Sequence, residues 1–244
     1  MKIISYPLSV LFALVFFLIL VVFHPIQWLA NNLFGYKAHK LIVDYMNLLL
    51  TRSLLFLGIA VKRENKQEIP TNRTVIIVSN HQSLFDIPPI IWYFRKHHIK
   101  FVSKKELGKG IPSVSYNLRH GGAALIDRKD GKAAIVELGK FSKRISKNIW
   151  GAAIFPEGTR SRNGKPKAFS TNGLKTILKY NPEAIIVPIS INNSWKVFKY
   201  GKFPLGLFTP IRIFTHHPIE ANSMEQDALL ALVEEKVKSN IHTD

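Results

Sequence analysis

At 244 residues the chain is long enough for one compact domain plus an appendage, and 47% of it is hydrophobic. Its 34 Lys and Arg stand against 16 Asp and Glu, a formal charge of +18 that implies an anionic partner: nucleic acid, an acidic membrane surface or a phosphorylated substrate. There is no cysteine, which excludes disulfides, thiolate nucleophiles, cysteine zinc sites and thioester carriage on the chain itself.

Residues 3–23 are dominated by Leu, Val, Phe and Ile, interrupted only by Ser5, Tyr6, Pro7 and Ser9. The uninterrupted run 10–23 would cover about 21 Å as a helix, short of the ~30 Å hydrocarbon core; counted from Ile3, the segment just reaches across. A cleaved leader is the competing reading. Against it, Lys2 is the single basic residue before the run, and Trp28 spoils the small-residue cleavage pattern ahead of Leu29-Ala30. Trp28, Phe34 and Tyr36, beside Lys37 and Lys40, read as interfacial anchors.

A second apolar stretch, 41–61, is broken by Asp44, Asn47, Thr51, Arg52 and Ser53. A lone span tolerates Asp44 and Arg52 poorly, so this stretch predicts a helix in the membrane interface or packed on the first one. A soluble core helix is the plainer alternative, and the neighbouring 10–23 run argues against it. The organisation expected is a membrane-associated helical pair over 1–61, a polar connection with Pro70 over 62–73, and a domain over 74–244.

Within that domain, strand and helix patterns alternate. Strands are expected at 74–79, 100–103, 122–126, 151–155, 184–191 and 211–215, and helices at 87–94, 111–119 and 132–147. The last of these places Ala134, Leu138, Phe141 and Ile145 on one face and Lys140, Lys143, Arg144 and Lys147 on the other, as in a helix covering a sheet. Ser223-Met224-Glu225-Gln226 reads as a capping box opening a final helix to about residue 239. The alternation predicts an α/β fold, a mainly parallel or mixed sheet wrapped by helices.

The run Val75-Ile76-Ile77-Val78 stops at Ser79-Asn80, and His81 and Asp86 follow before Pro88-Pro89. Paired prolines suit the first turn of a helix. His81 and Asp86 therefore stand at the carboxyl end of a strand, where open α/β sheets place their ligands. On a continuous helix two residues five apart diverge by roughly 140°, so the pair can meet only if His81 sits in the turn before the helix. Asp86 would then hold one ring nitrogen and leave the other free as a base. A turn histidine beside an ordinary helix-start carboxylate is the alternative.

Asn80-His81-Gln82-Ser83-Leu84-Phe85-Asp86 resembles the NHx4D signature of the glycerolipid acyltransferase family, in its lysophosphatidic acid acyltransferase (PlsC-like) branch. Gly122-Ala123-Ala124-Leu125-Ile126-Asp127-Arg128 resembles that family's second block, Phe155-Pro156-Glu157-Gly158-Thr159-Arg160 its third and Val187-Pro188-Ile189 its fourth. The four come in the family's order and cover roughly residues 75–191. The resemblance implies acyl transfer from acyl-CoA or acyl-carrier protein to the sn-2 hydroxyl of 1-acyl-glycerol-3-phosphate, giving phosphatidic acid. Other lysolipids, such as a lyso-ornithine lipid, are alternative acceptors. A non-catalytic protein binding acidic lipid or nucleic acid is the reading of a different class, although the basic residues are spread over many helices without a nucleic-acid motif.

For that chemistry His81 is the expected base and Asp86 its orienting carboxylate. The resemblance implies that Glu157, Gly158 and Arg160 contact the acceptor's glycerol phosphate, within a third block that includes Thr159. Arg160 suits a bidentate grip on phosphate, and Gly158 a tight turn. Arg128 is the second phosphate candidate, and Lys104 or Lys105 a third, with Lys105 preferred. Backbone N–H groups at the start of the helix at Ile87 are the expected oxyanion donors. Ser83 as a nucleophile is the weaker alternative to direct attack by the acceptor hydroxyl; no Gly-x-Ser-x-Gly elbow is present. Two departures from the family bear on the acceptor: Phe169-Ser170-Thr171-Asn172-Gly173 lacks the lysine relatives often carry there, and Ala124-Leu125 is less bulky than usual. Neither His97-His98 nor His216-His217 has metal-site spacing, so no metal or other cofactor is expected. The basic surface favours anionic lipid and an active site on the cytoplasmic face of the inner membrane.

Overall fold

The computed structural model describes residues 2–127 and 129–243. Its strands are β1 (Val61–Glu64), β2 (Val75–Ser79), β3 (Lys100–Lys104), β4 (Ala124–Ile126), β5 (Ala152–Ile154), β6 (Ile185–Asn192), β7 (Ile211–Thr215) and β8 (Ile219–Glu220). Its helices are α1 (Lys2–Ser53), α2 (Ile87–Tyr93), α3 (Val114–His120), α4 (Gly131–Asn148), α5 (Asn172–Lys179) and α6 (Gln226–Ser239). The strands form one sheet in the order β1-β7-β6-β2-β5-β3-β4, with β8 also on β6. β6, β2, β5, β3 and β4 run parallel, while β7 and β8 pair antiparallel to β6, so the sheet is mixed.

Every residue of β2 and β6 is buried, because these central strands are covered on both faces. Alternation along β2 divides the core. Val75 and Ile77 face the layer that holds Phe12 of α1 and Ile90 of α2. Ile76 and Val78 face Phe141 and Ile145 of α4, Leu174 and Ile177 of α5, and Val233 of α6. The domain is thus a helix–sheet–helix sandwich, with the carboxyl ends of five parallel strands gathered on one rim.

α1 is two arms that meet at Gly35, whose φ of 74° and ψ of −167° break the helical run. The second arm packs back on the first through Leu20, Met46 and Leu50, the helical pair read from the sequence. Asp44 is accommodated by an ion pair with Lys40. α1 is the one helix among the described residues long and apolar enough to cross a membrane.

Its first arm turns a mixed polar and aromatic side inward and an apolar side outward. Ser5 and Ser9 bond the backbone of Leu205, Phe12 and Phe16 pack on Phe85, and Leu20 and His24 receive Ser113. Ile3, Leu11, Leu14, Phe17, Leu18 and Leu33 face outward and are exposed. A stripe of contacts recurring every three to four residues docks this arm lengthwise on the domain.

Several expectations are corrected. The connection at 62–73 begins inside the sheet, since Val61–Glu64 pairs in parallel with Ile211–Phe214. Its charged composition hid an edge strand, whose outer edge tolerates Lys and Glu. Tyr36 is no interfacial anchor: it stacks on Trp150 at 4.5 Å and bonds His98 Nδ1 at 2.9 Å. Lys40 is likewise occupied, by Asp44 and the Arg95 carbonyl. The capping box at Ser223 does not form. Ser223 Oγ donates to the Glu220 carbonyl, and Glu225 caps α6 by accepting from the N–H groups of Asp227 and Ala228.

Candidate active site

The turn after β2 is built by one buried carboxylate. Asp86 is fully buried, and its Oδ2 accepts from His81 Nδ1 at 2.8 Å, Gln82 N–H at 2.7 Å and Ser83 N–H at 2.9 Å. Ser83 is extended (φ −152°, ψ 174°) and caps a short 3-10 turn, Leu84–Asp86, by accepting from Phe85 N–H. That turn resolves the awkward spacing, because His81 lies outside the helix and Asp86 swings back toward it. An acceptor-only carboxylate on Nδ1 places the proton there and leaves the Nε2 lone pair free.

The imidazole is held on further sides. The Phe155 ring stacks on it at 4.0 Å and 8°, and Phe101 backs Phe155 at 5.8 Å. The His81 carbonyl accepts from Ser161 N–H at 2.7 Å. Its backbone N–H donates to Glu157 Oε1 at 3.0 Å. The His81 side chain keeps 13% exposure. It is anchored on one ring nitrogen and one ring face, and partly open to solvent.

Asn80 was passed over by sequence reasoning. Its side chain donates to the Ile191 carbonyl at 2.9 Å and accepts the Ile191 N–H at 2.7 Å, continuing the β2–β6 ladder by one side-chain rung. The signal was available in the abrupt change from apolar run to amide. Gln82 adds a second tie to the loop after β6, accepting Ser194 N–H at 3.0 Å.

After β5 the chain turns at Gly158, whose φ of 69° suits glycine. Beyond it lies a cleft of about 430 Å³ lined by Thr159, Arg160, Arg162, Asn163 and Lys167. Among the described residues no carboxylate pairs with these three cations. The cleft therefore suits an anion, and it opens from the loop whose Ser161 bonds His81. Of its cations, sequence reasoning named Arg160. Arg162 and Lys167 were legible as a cationic run after a strand, but lie outside the matched block.

Other expected site residues fall differently. Lys105 is exposed at the start of a turn after β3, and β5 separates β3 from β2, which puts it about 10 Å across the sheet. Arg128 lies outside the described residues. Glu157 is buried, and both its oxygens are engaged by backbone, Oε1 by His81 and Oε2 by Lys167 N–H at 3.2 Å. Neither oxygen is left without a hydrogen bond. Burial raises its pKa, and those two bonds oppose the rise.

The start of α2 offers fewer oxyanion donors than expected. Pro88 and Pro89 have no N–H, and the N–H groups of Gln82, Ser83 and Phe85 are spent within the turn. Ser83 Oγ is fully buried against Ser194 Oγ, which suits a structural hydroxyl rather than a nucleophile.

Residues 60–192 match the family model described as Acyltransferase. The chain belongs to the acyltransferase family. Its HX4D turn, third block and β6 all lie in the matched segment. A 1-acyl-sn-glycerol-3-phosphate acyltransferase from Helicobacter pylori is 38% identical over 127 residues, covering 49% of this chain and 51% of that protein. One from Borreliella burgdorferi is 27% identical over 196 residues, covering 78% and 75%. The chain thus spans about half the length of the first of these relatives. The crystal structure of the 1-acyl-sn-glycerophosphate acyltransferase PlsC from Thermotoga maritima superposes with a TM-score of 0.78 at 26% identity, covering 98% of this chain and 95% of that one.

Proposed function

We propose that the chain acylates the sn-2 hydroxyl of 1-acyl-glycerol-3-phosphate, taking the acyl group from acyl-CoA or acyl-carrier protein and releasing phosphatidic acid. One observation carries this reading: His81, its Nδ1 held by Asp86, is bonded through its carbonyl to the loop that lines a cleft whose three cations form no ion pair among the described residues. Nε2 takes the acceptor's hydroxyl proton as its oxygen attacks the thioester carbonyl. Asp86 stabilises the imidazolium that forms. The tetrahedral intermediate collapses, the thiolate leaves, and the imidazolium returns the proton to sulfur. No acyl-enzyme and no cofactor enter the cycle. The acceptor phosphate sits in the Arg160–Arg162–Lys167 cleft, and Thr159 and Asn163 offer polar contacts beside it.

We place the protein on the cytoplasmic face of the inner membrane. The first arm of α1 is docked along its length on a charged domain, which opposes a transverse span. Its outward apolar side favours lying in one leaflet, with anionic lipid meeting the basic surface. Such a position supplies both lipid substrates without their leaving the membrane.

The test is turnover with a lysolipid panel and both thioester donors. His81→Ala is expected to lose at least ~10²-fold in kcat while vesicle binding persists. Arg160→Ala is expected to raise KM for a phosphate-bearing acceptor at little-changed kcat. Full activity of the His81 variant would remove the imidazole from the mechanism.

A further inference from the structure

The third block holds a carboxylate that substrate does not need to explain. Glu157 is 8% exposed and forms no ion pair among the described residues, the Lys167 charge acting on it only at longer range. Each oxygen instead meets a backbone N–H from a different segment: His81 at the base's turn, and Lys167 on the wall of the cationic cleft. We infer that Glu157 is a positioning residue, a two-oxygen clamp that fixes the base relative to the anion cleft; this rests on the acyl-transfer reading above.

Among the contacts that hold His81, Glu157 is the side chain that also reaches the cleft wall. The backbone of His81 is bracketed by Glu157 on its N–H and by Ser161 on its carbonyl. Both partners come from the segment that follows β5, 76 and 80 positions away in sequence. The imidazole is stacked on Phe155, two residues before Glu157. Asp86 sets which nitrogen is free; Glu157 sets where the residue carrying it stands. The same carboxylate fixes Lys167, which lines the cleft. Glu157 thereby joins the Ser161–His81 bond in fixing how the base stands relative to the acceptor's phosphate. General-base catalysis depends on that placement, because the reacting atoms must approach to about 3 Å.

Glu157→Gln keeps the size but turns one acceptor oxygen into a donor, which faces one of the two N–H groups. We expect kcat to fall about 10- to 100-fold, with KM for the lysolipid within about threefold of wild type. A residue that contacts the acceptor would instead raise KM. Because Glu157 acts on the chemical step through His81, and holds Lys167 only by its backbone N–H, the double variant Glu157→Gln/His81→Ala should have a kcat no lower than His81→Ala alone. Losses that multiply in the double variant, or a change confined to KM, would overturn the assignment.

Hydrogen exchange on the intact protein in detergent, without substrate, reads the clamp independently of turnover. Glu157→Gln should speed exchange in peptides covering 80–83 and 165–168 while peptides from α4 and α6 keep their rates. Unchanged exchange in both loop peptides would overturn the clamp even if the enzyme is active. If wild type acylates no lysolipid, the acyl-transfer reading fails, and the exchange result still decides the clamp.

Discussion

Replacing Asp86 by Asn separates the carboxylate's charge from its shape. Asp86 Oδ2 lies 2.8 Å from His81 Nδ1 in a fully buried site. At an effective dielectric of about 20, a carboxylate and an imidazolium roughly 3 Å apart attract by about 5 kcal/mol, an attraction absent while the ring is neutral. An amide oxygen in the same place retains part of this as a dipole. The expected net loss in the transition state is about 3–4 kcal/mol, a fall of roughly 10²- to 10³-fold in kcat. KM should hold, since the cationic cleft is untouched. The fold should survive, because the amide oxygen can still accept from Gln82 and Ser83. The new NH₂ would occupy the place of Oδ1, which is buried and has no partner among the described residues. An unsatisfied donor there costs about 1–3 kcal/mol. Asp86→Ala is the poorer test, because it strands both backbone N–H groups. CoA release can be followed with a thiol-reactive chromophore free of protein background, as the chain has no cysteine. A folded Asp86→Asn variant within fivefold of wild-type kcat would refute the orienting role.

Asn80→Ala should remove the side-chain rung between β2 and β6 and leave a buried N–H and C=O at Ile191 unmatched. That is about 2–5 kcal/mol, to be read as a fall in Tm of roughly 5–15 °C; a change under 2 °C would show that the rung is dispensable. Lys100 is buried between the faces of Tyr36 and Trp150, each 4.7 Å from Nζ, and burial with nearby Lys40 lowers its pKa to about 7. Both folded and unfolded states carry the charge below pH 7, so the burial penalty is full there; above it the folded state alone sheds the proton, and stability rises toward the unfolded lysine's pKa. Lys100→Met should therefore stabilise by on the order of 2 kcal/mol at pH 6, the aromatic faces offsetting part of the penalty, and the gain should shrink by pH 9; a gain that grows with pH would contradict this. Leu14→Asp with Phe17→Asp, on the exposed side of α1, should cut sedimentation with anionic vesicles more than tenfold, and unchanged binding would remove that face from the membrane contact.

What was legible in the sequence was mostly local. The β2 run, the prolines opening α2 and the amphipathic face of α4 each depend on residues within one element, and each lies where periodicity and turn chemistry put it. Asp86 meets His81 because a short capped turn intervenes, which the five-residue spacing implied. What escaped notice is either short or nonlocal. β8 has two residues and α5 eight, too few for a period to stand out. β1 carries Lys, Arg and Glu because it lies at an edge. Glu157 read as a ligand because an acidic side chain in a matched block suggests one. Its partners are backbone N–H groups, one of them 76 residues upstream, and backbone partners leave no mark on composition.

The same distinction explains why α1 is part of the catalytic domain's core. A tether would leave its helix free of the domain. Here Phe12 is buried to 3% exposure and, with Phe16, packs edge-on against Phe85. Phe85 stands between His81 and Asp86 in sequence and also stacks on Phe198. The turn that orients the imidazole is thus walled on one side by the arm whose opposite side is apolar and exposed. The surface suited to lipid and the backing of the catalytic turn are two sides of one helix. On the proposed acyl-transfer reading, a lysolipid held on that apolar side would meet the turn that carries His81 from the arm's far side, with the cationic cleft attracting its phosphate.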